Sequence, residues 1–409
     1  MSQPVTVAMV ALGGYGNIYL RTLFDNAAAH NVKLVAGVDP NPVGCRYLDQ
    51  FKAAHIPIYP DLDSFYATNT ADLVIIAAPI HLHAPFTIKA LAHGSHVLCE
   101  KPLTATIQDA LAMAEAEKQA ERFVGIGYQW SFSAAIQALK QDVMAGKLGR
   151  PVRLRTKVFW PRSLSYFARN TWAAKLQTEG GDWVLDSPAH NATAHYLHNS
   201  LYILGNTLES SARPVSVQAE LYRANQITNC DTVTLRVRTD NDAELFFYAA
   251  HPVPENVGPI FQYEFTEAVV DYPSAEGNIV AHFRNGREKS YGNPLVSEDD
   301  KVWQAVDAVR MSTLHQPAAL ACGIEAATAQ LLCINGAQES MWDIATFPND
   351  LIRRRVAKDD ALIWVAGLQS ALELCYDQGC LPSEASAFSW AKPGKVIDLT
   401  NYTHFPSQV

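Results

Sequence analysis

The 409-residue sequence predicts two folds in series: a doubly wound parallel α/β sheet, then an α+β domain built on an antiparallel or mixed sheet. Three observations carry that reading. Apolar runs alternate with helical stretches through the first 130 residues, a glycine turn follows the first run, and beyond GKLGRPVRLR (146–155) the segments switch to period-two alternation. Regular strand–helix alternation implies βαβ units, whereas polar–apolar alternation marks strands buried on one face. The predicted domains are 1–130 and 131–409.

The first strand, VTVAMVAL (5–12), is continuously apolar, as expected of a strand covered on both faces. A helical stretch follows from about Tyr15 to Ala29, then strand KLVAGVD (33–39), a helix near 43–54 and a short strand IPIY (56–59). ADLVIIAAP (71–79) is the fourth strand, and HLHAPFTIKALAHG (81–94) is a helix closed by glycine. HVLC (96–99) is the fifth strand, 106–121 a helix, and FVGIGY (123–128) the sixth strand. Ligands of such sheets bind outside the carboxyl ends of the strands, so Gly13, Asp39, Pro79, Glu100, Lys101, Tyr128 and Gln129 share one rim.

The turn after strand one reads ALGGYGNIY (11–19) and puts Ala11, Gly13 and Gly16 in the G-x-G-x-x-G frame. Gly13 lets the backbone approach a pyrophosphate, which then sits on the helix N-terminus. Asp39 ends strand two, 23 residues past Gly16, where a carboxylate accepts the ribose hydroxyls of a dinucleotide. No cation follows closely, so NAD is favoured over NADP, for which Arg46 is the available partner. At the end of strand five, Pro102 disfavours helix at the residue before it and aims Lys101 from extended backbone beside Glu100.

Alternating segments at 152–160, 215–223, 232–239 and 243–250 predict the second sheet. One long helix is expected within 182–204, another near 317–340, and 358–379 reads as an amphipathic helix with a glycine stop. The Arg353–Arg355 run reads as a solvated helix face. On a helix, Asp186 and His190 lie four apart and share a face. His195 and His198 form a second same-face pair, which ordinary helix packing accounts for. The histidine spacing lacks a completing Cys or Glu, so no metal is expected.

A net charge of −9 argues against nucleic acid or an anionic membrane surface as partner. The apolar stretches stop short of a membrane span. Seven cysteines without a CxxC pair read as reduced core residues. No signal peptide fits ahead of the strand at Val5. The expectation is a soluble, cytoplasmic protein.

At this point the sequence resembles the Gfo/Idh/MocA oxidoreductases, which include inositol and glucose–fructose dehydrogenases. The resemblance rests on VALGGYGNIY, AAPIHLHAP (77–85), CEKPL (99–103), GKLGRPV (146–152) and GGDWVLDSPAH (180–190). It implies a Rossmann domain followed by an open-faced, mostly antiparallel sheet with helices, whose outer face makes a homodimer or homotetramer. It implies catalysis by Lys101, His190 and Asp186, and NAD held by Leu12, Gly13, Gly14, Tyr15, Gly16, Asn17, Ile18, Asp39, Ala78, Pro79, Ile80, His83, Glu100, Lys101 and Gln129. Substrate contacts are expected from Lys101, Tyr128, Trp160, Arg162, Trp172, Asp186 and His190. Pro188, Thr193, Trp130 and Ser131 depart from the family's pattern, which bears on the substrate more than on the reaction. The implied reaction is hydride transfer between nicotinamide and a secondary alcohol of a sugar or polyol. A redox-neutral, NAD-dependent glycoside hydrolase or isomerase and a non-catalytic regulator that senses sugar or nucleotide are the alternatives on this fold.

Overall fold

A computed structural model describes residues 3–295, 299–314, 316 and 320–407. The chain forms two compact units. The first holds Met1–Thr104, Gln108–Phe132 and Ser297–Ala327; the second holds Ala105–Ile107, Ser133–Val296 and Thr328–Val409. The first unit therefore takes in a late segment that the division at residue 130 assigns elsewhere.

In the first unit, β1 (Val5–Val10), β2 (Val32–Val38), β3 (Ile58–Tyr59), β4 (Leu73–Ile76), β5 (His96–Cys99) and β6 (Val124–Ile126) run parallel. Among the described residues they order as β3-β2-β1-β4-β5-β6, so strand order reverses between β1 and β4. Such a reversal opens the ligand crevice of doubly wound sheets. Every residue of β4 and β5 is buried, as continuous apolar runs require. The expected 43–54 helix is a short 3₁₀ turn, Pro42–Gly44, and a helix, Leu48–Ala53, because Cys45 between them is extended. A helix at Leu62–Tyr66 was not expected. The helix Asp300–Thr313 packs on β1 and β5 through a face that includes Val302, Ala305, Val306 and Val309.

The second unit is built on β7 (Pro151–Phe159), β8 (Pro214–Arg223), β9 (Thr232–Thr239), β10 (Glu244–Ala250), β11 (Val257–Phe265), β12 (Ala268–Tyr272), β13 (Ile279–Phe283), β14 (Glu288–Gly292) and β15 (Ala345–Thr346). Their order is β14-β13-β12-β11-β7-β10-β9-β8-β15, mostly antiparallel, with β7 and β10 parallel at the centre. One face carries Phe159, Tyr222, Phe246 and Tyr248, and Leu372, Cys375 and Tyr376 of the helix Leu368–Gln378 cover it. Over this part of the sheet the chain's own helix covers the apolar face. Leaving such side chains in water costs about 1.5–3 kcal/mol each, and the chain supplies its own cover. Over β11–β13 the same face is partly exposed and mixed, carrying Ile260, Val269 and Val280 beside Gln262, Glu264, Asp271 and His282.

Three further expectations change. Residues 358–379 are not one helix: β16 (Ile352–Ala357) pairs with β17 (Asp360–Val365), and the helix starts only after Gly367, whose φ of 76° breaks the chain direction. Arg353, Arg354 and Arg355 accordingly lie on an exposed strand, not a helix. The 182–204 stretch is irregular through Ser187, π-helical over Pro188–Ala192 and α-helical only from Ala194 to Tyr202. The helix expected near 317–340 is Ile324–Ser340; residues 317–319 lie outside the described residues.

Candidate active site

The rim of the first unit begins at the glycine turn. A Cβ on Gly16 would stand 2.1 Å from the Ala11 carbonyl oxygen, so only glycine lets the turn close on the start of the Gly16–Asn26 helix. Ala11 occupies the first-glycine position with φ +64°, a conformation that costs an L-residue about 1–2 kcal/mol. Two backbone amides tie Asp39 into this turn: Leu12 N–H donates to Oδ2 and Asn41 N–H to Oδ1, both at 2.8 Å. Each carboxylate oxygen keeps a lone pair for a ribose hydroxyl. Asn17 is occupied differently. Its amide donates to the Gly14 and Gly44 carbonyls and accepts from Arg46 N–H at 2.7 Å, so it braces the turn. The exposed Gly14, the helix N-terminus and Asp39 together fit a dinucleotide.

At the end of β5 the Glu100 carboxylate is buried. It accepts from Tyr19 Oη at 2.6 Å and from the Lys101 backbone N–H at 3.0 Å, and it pairs with the buried Lys301 ammonium. Burial alone would raise its pKa, but Lys301 and Lys101 outweigh that and hold the carboxyl below its ordinary value. Room for it depends on Gly127, where a Cβ would meet Glu100 Oε1 at 2.7 Å. Lys101 itself is half-buried, and its peptide bond to Pro102 is cis. His83 bridges the Pro102 carbonyl (Nδ1, 2.8 Å) and the Ala78 carbonyl (Nε2, 2.9 Å). Burial pushes its pKa down, against the two carbonyls and Glu100.

In the second unit, Asp186 precedes the π-turn instead of sharing a helix face with His190. Ser187 caps that turn by accepting the His190 N–H at 3.2 Å, and Pro188 starts it, so Asp186 lies ahead of the helical residues. Asp186 is buried and takes three donors: Arg169 Nη2 (3.1 Å) and Ala174 N–H (2.6 Å) on Oδ2, and Asn191 Nδ2 (2.7 Å) on Oδ1. Ala174 and Leu185 flank this arrangement in left-handed backbone, φ 52° and 51°. His190 is buried. Trp160, Arg162, Tyr166, Arg169 and Trp172 form a ladder, with Arg162 over the Trp160 and Tyr166 rings and Arg169 over Tyr166 and Trp172. Among the described residues no three His, Cys, Asp or Glu groups gather as a metal site, and no helix is long and apolar enough to cross a membrane.

Residues 5–128 match the model of the GFO_IDH_MocA group, described as an oxidoreductase family with an NAD-binding Rossmann fold. The first domain belongs to that family. Similar curated proteins include 1,5-anhydro-D-fructose reductase of Ensifer adhaerens, 32% identical over 32% of this chain and 36% of that protein. Inositol 2-dehydrogenase of Acidothermus cellulolyticus is 30% identical over 46% of this chain and 51% of that protein. The chain thus spans about a third to a half of the length of these relatives. Among solved structures, levoglucosan dehydrogenase in complex with NADH and levoglucosan has a TM-score of 0.66 at 18% identity, covering 83% of this chain and 97% of that one. Aldose-aldose oxidoreductase from Caulobacter crescentus has a TM-score of 0.64 at 20% identity, covering 82% and 98%. At these identities the two structures show a shared fold.

Within the Gfo/Idh/MocA domain the expected cofactor residues fall into two sets. Gly13, Gly14, Tyr15, Ile18, Asp39, Ala78, Pro79, Lys101 and Gln129 are exposed or half-buried, and the Tyr15 hydroxyl lies 3.4 Å from Gln129 Oε1. Leu12, Gly16, Asn17, Ile80, His83 and Glu100 are buried and build the rim from behind; Tyr128, expected at the substrate, is fully buried as well. Sequence reasoning missed Lys301, Tyr19, Arg169 and Asn191. Asn191 could have been found, since Ser187-Pro188 is a recognisable cap and first turn. No local signal marks Lys301.

Proposed function

We propose that this chain is an NAD-dependent dehydrogenase acting on a secondary alcohol of a sugar, polyol or sugar derivative. The observation that carries the reading is Lys101, half-buried at the carboxyl end of β5 with its backbone held by the ionised Glu100, in a domain of an NAD-binding oxidoreductase family. NAD supplies the hydride acceptor, and Gly13, Gly14 and Asp39 would hold it.

Lys101 stabilises the developing alkoxide as a compact cation. His190 accepts the alcohol proton, a role to which an imidazole is suited. Asp186 accepts from Arg169, Ala174 and Asn191, so its part includes positioning Arg169 and Asn191. Trp160, Arg162 and Trp172 contact the substrate.

The test is a panel of polyols and aldoses with NAD, followed by NADH absorbance. Accumulating NADH supports the dehydrogenase. Turnover of substrate without NADH accumulation points to a redox-neutral enzyme, and sugar binding without turnover points to a regulator.

A cytoplasmic location and a homodimer or homotetramer belong to the same proposal. With Phe159, Phe246 and Tyr248 covered by the chain's own helix, the mixed β11–β13 face, with Val269 and Val280 beside Asp271 and His282, is the part of the sheet left for an assembly. Light scattering that finds a monomer near 45 kDa would remove the oligomer.

A further inference from the structure

The aromatic–arginine ladder of the second unit has an unbalanced charge. Arg169 is paired with Asp186. Arg162 takes part in no ion pair among the described residues; its guanidinium lies 4.9 Å from the Tyr166 ring centroid and 5.6 Å from that of Trp160. Its polar neighbour is the Tyr166 hydroxyl, and its Nε is buried with no acceptor. A buried N–H on a cation that meets no acceptor costs free energy until one arrives.

The neighbouring histidine does not change the charge count. His251 Nδ1 lies 2.9 Å from the Trp160 carbonyl. Burial, with Arg162 and Arg169 adding to it, brings His251 down to about 3 against the pull of that carbonyl, so the ring is neutral at physiological pH. Asp186 is thus paired with Arg169, Asp360 accepts from Ser165, and Arg162 pairs with neither, beside the rings of Trp160 and Tyr166.

We propose that Arg162 receives a carboxylate carried by the substrate, which makes the substrate a sugar acid. The inference rests on the dehydrogenase reading for the site's role, but the missing acceptor at Arg162 is independent of it. A guanidinium fork matches the two oxygens of a carboxylate, and flat aromatic faces on either side exclude water and fit a sugar ring. Both arginines lie against the Tyr166 ring; Arg169 is paired with Asp186, and Arg162, in no ion pair among the described residues, receives the incoming acid.

Calorimetric titration of the full chain with NAD present would compare matched pairs: galacturonate against galactose, glucuronate against glucose, gluconate against sorbitol. At least one acid should bind about tenfold or more tightly than its neutral twin. Arg162→Gln should bring that ratio close to one, and Arg162→Lys, which keeps the charge but loses the fork, should leave a part of it. Circular dichroism and melting of both variants separate lost recognition from lost folding. Failure of every acid to outbind its twin overturns the proposal, as does a ratio that survives Arg162→Gln or an absence of binding by all acids. NADH absorbance on the same pairs is read separately. NADH from neutral sugars with no acid preference removes the sugar acid and keeps the dehydrogenase; acid preference without NADH from any pair does the reverse.

Discussion

Glu100 and Asp186 are both buried carboxylates beside a candidate catalytic residue, and they are satisfied in different ways. Glu100 draws on Tyr19, Lys101 and Lys301, the last 201 positions away in sequence, and two of its three partners are cations. Asp186 draws on one cation, one side-chain amide and one backbone N–H, all within 17 positions. The first carboxylate fixes the backbone of the residue that would do chemistry. The second takes its donors from Arg169, Ala174 and Asn191, and so ties together the chain on either side of it. Equal spacing in a motif therefore does not imply equal roles, and the contrast can be broken experimentally.

The largest effect should fall on catalysis. His190→Ala should lower kcat by about 10²–10⁴ and Lys101→Ala by about 10² or more, with NAD affinity within a few-fold. Lys101→Arg should fail too, because a planar fork does not replace a compact ammonium. If the two residues serve one proton transfer, the double variant loses much less than the product of the singles. Steady-state kinetics with calorimetry on NAD measures all four, and full turnover by Lys101→Ala would return Lys101 to the surface.

The carboxylates themselves should differ in stability. Lys301→Met leaves Glu100 buried without its deepest partner and should cost about 3–5 kcal/mol, part of which Glu100→Gln restores in the double variant. Arg169→Gln leaves Asp186 two donors at a site that is partly open to solvent, so about 1 kcal/mol is expected. Urea unfolding of the three variants orders them, and equal losses would erase the distinction.

Acid should weaken the second unit through its neutral histidines. Burial takes His198 to about 3, with Lys140 adding to it, and His251 to about 3. A folded pKa below the unfolded value of about 6.5 means that protons are taken up on unfolding. The stabilising contribution is thus complete above pH 6.5 and is lost as pH falls towards 3, by at most about 1.4 kcal/mol per pH unit for each histidine. Melting curves from pH 7 to 4 should show Tm falling, with a shallower slope in His198→Gln; a slope unchanged by that variant counts against the assignment.

The smallest expected difference concerns the cofactor. NAD should bind at least about tenfold more tightly than NADP because Asp39 repels a 2′-phosphate, and Asp39→Ala should narrow that gap. Since Asp39 also bonds Leu12 and Asn41, the variant should weaken NAD binding as well. Equal affinities in the parent chain would show that Arg46 or another cation compensates.

The first sheet was legible because strands buried on both faces must be largely apolar: β4 is so throughout, and β1 and β5 are so apart from Thr6 and His96. The Glu-Lys-Pro stretch was legible because proline restricts its neighbour whatever the context. The Asp186 spacing misled because four residues match a helical turn, while Ser187-Pro188 starts the helix one residue later. The 358–379 stretch misled in the same manner: its apolar residues fit helical periodicity, but Gly367 divides strand from helix. Lys301 was not legible at all, since a lysine next to Asp299 and Asp300 reads as a solvated helix start. Its burial follows from chain return, which has no local signal.

That return has a consequence for synthesis. When the ribosome has made the strands of the first unit, Glu100 is in place but its Lys301 partner and the helix that covers β1 and β5 are still unmade. At ordinary elongation rates the wait lasts roughly ten to forty seconds. During it the nascent sheet carries an uncovered apolar face and an incompletely compensated buried acid, so the unit closes only after most of the second has emerged. The order of the genetic message, as much as the final packing, decides when the cofactor rim becomes rigid.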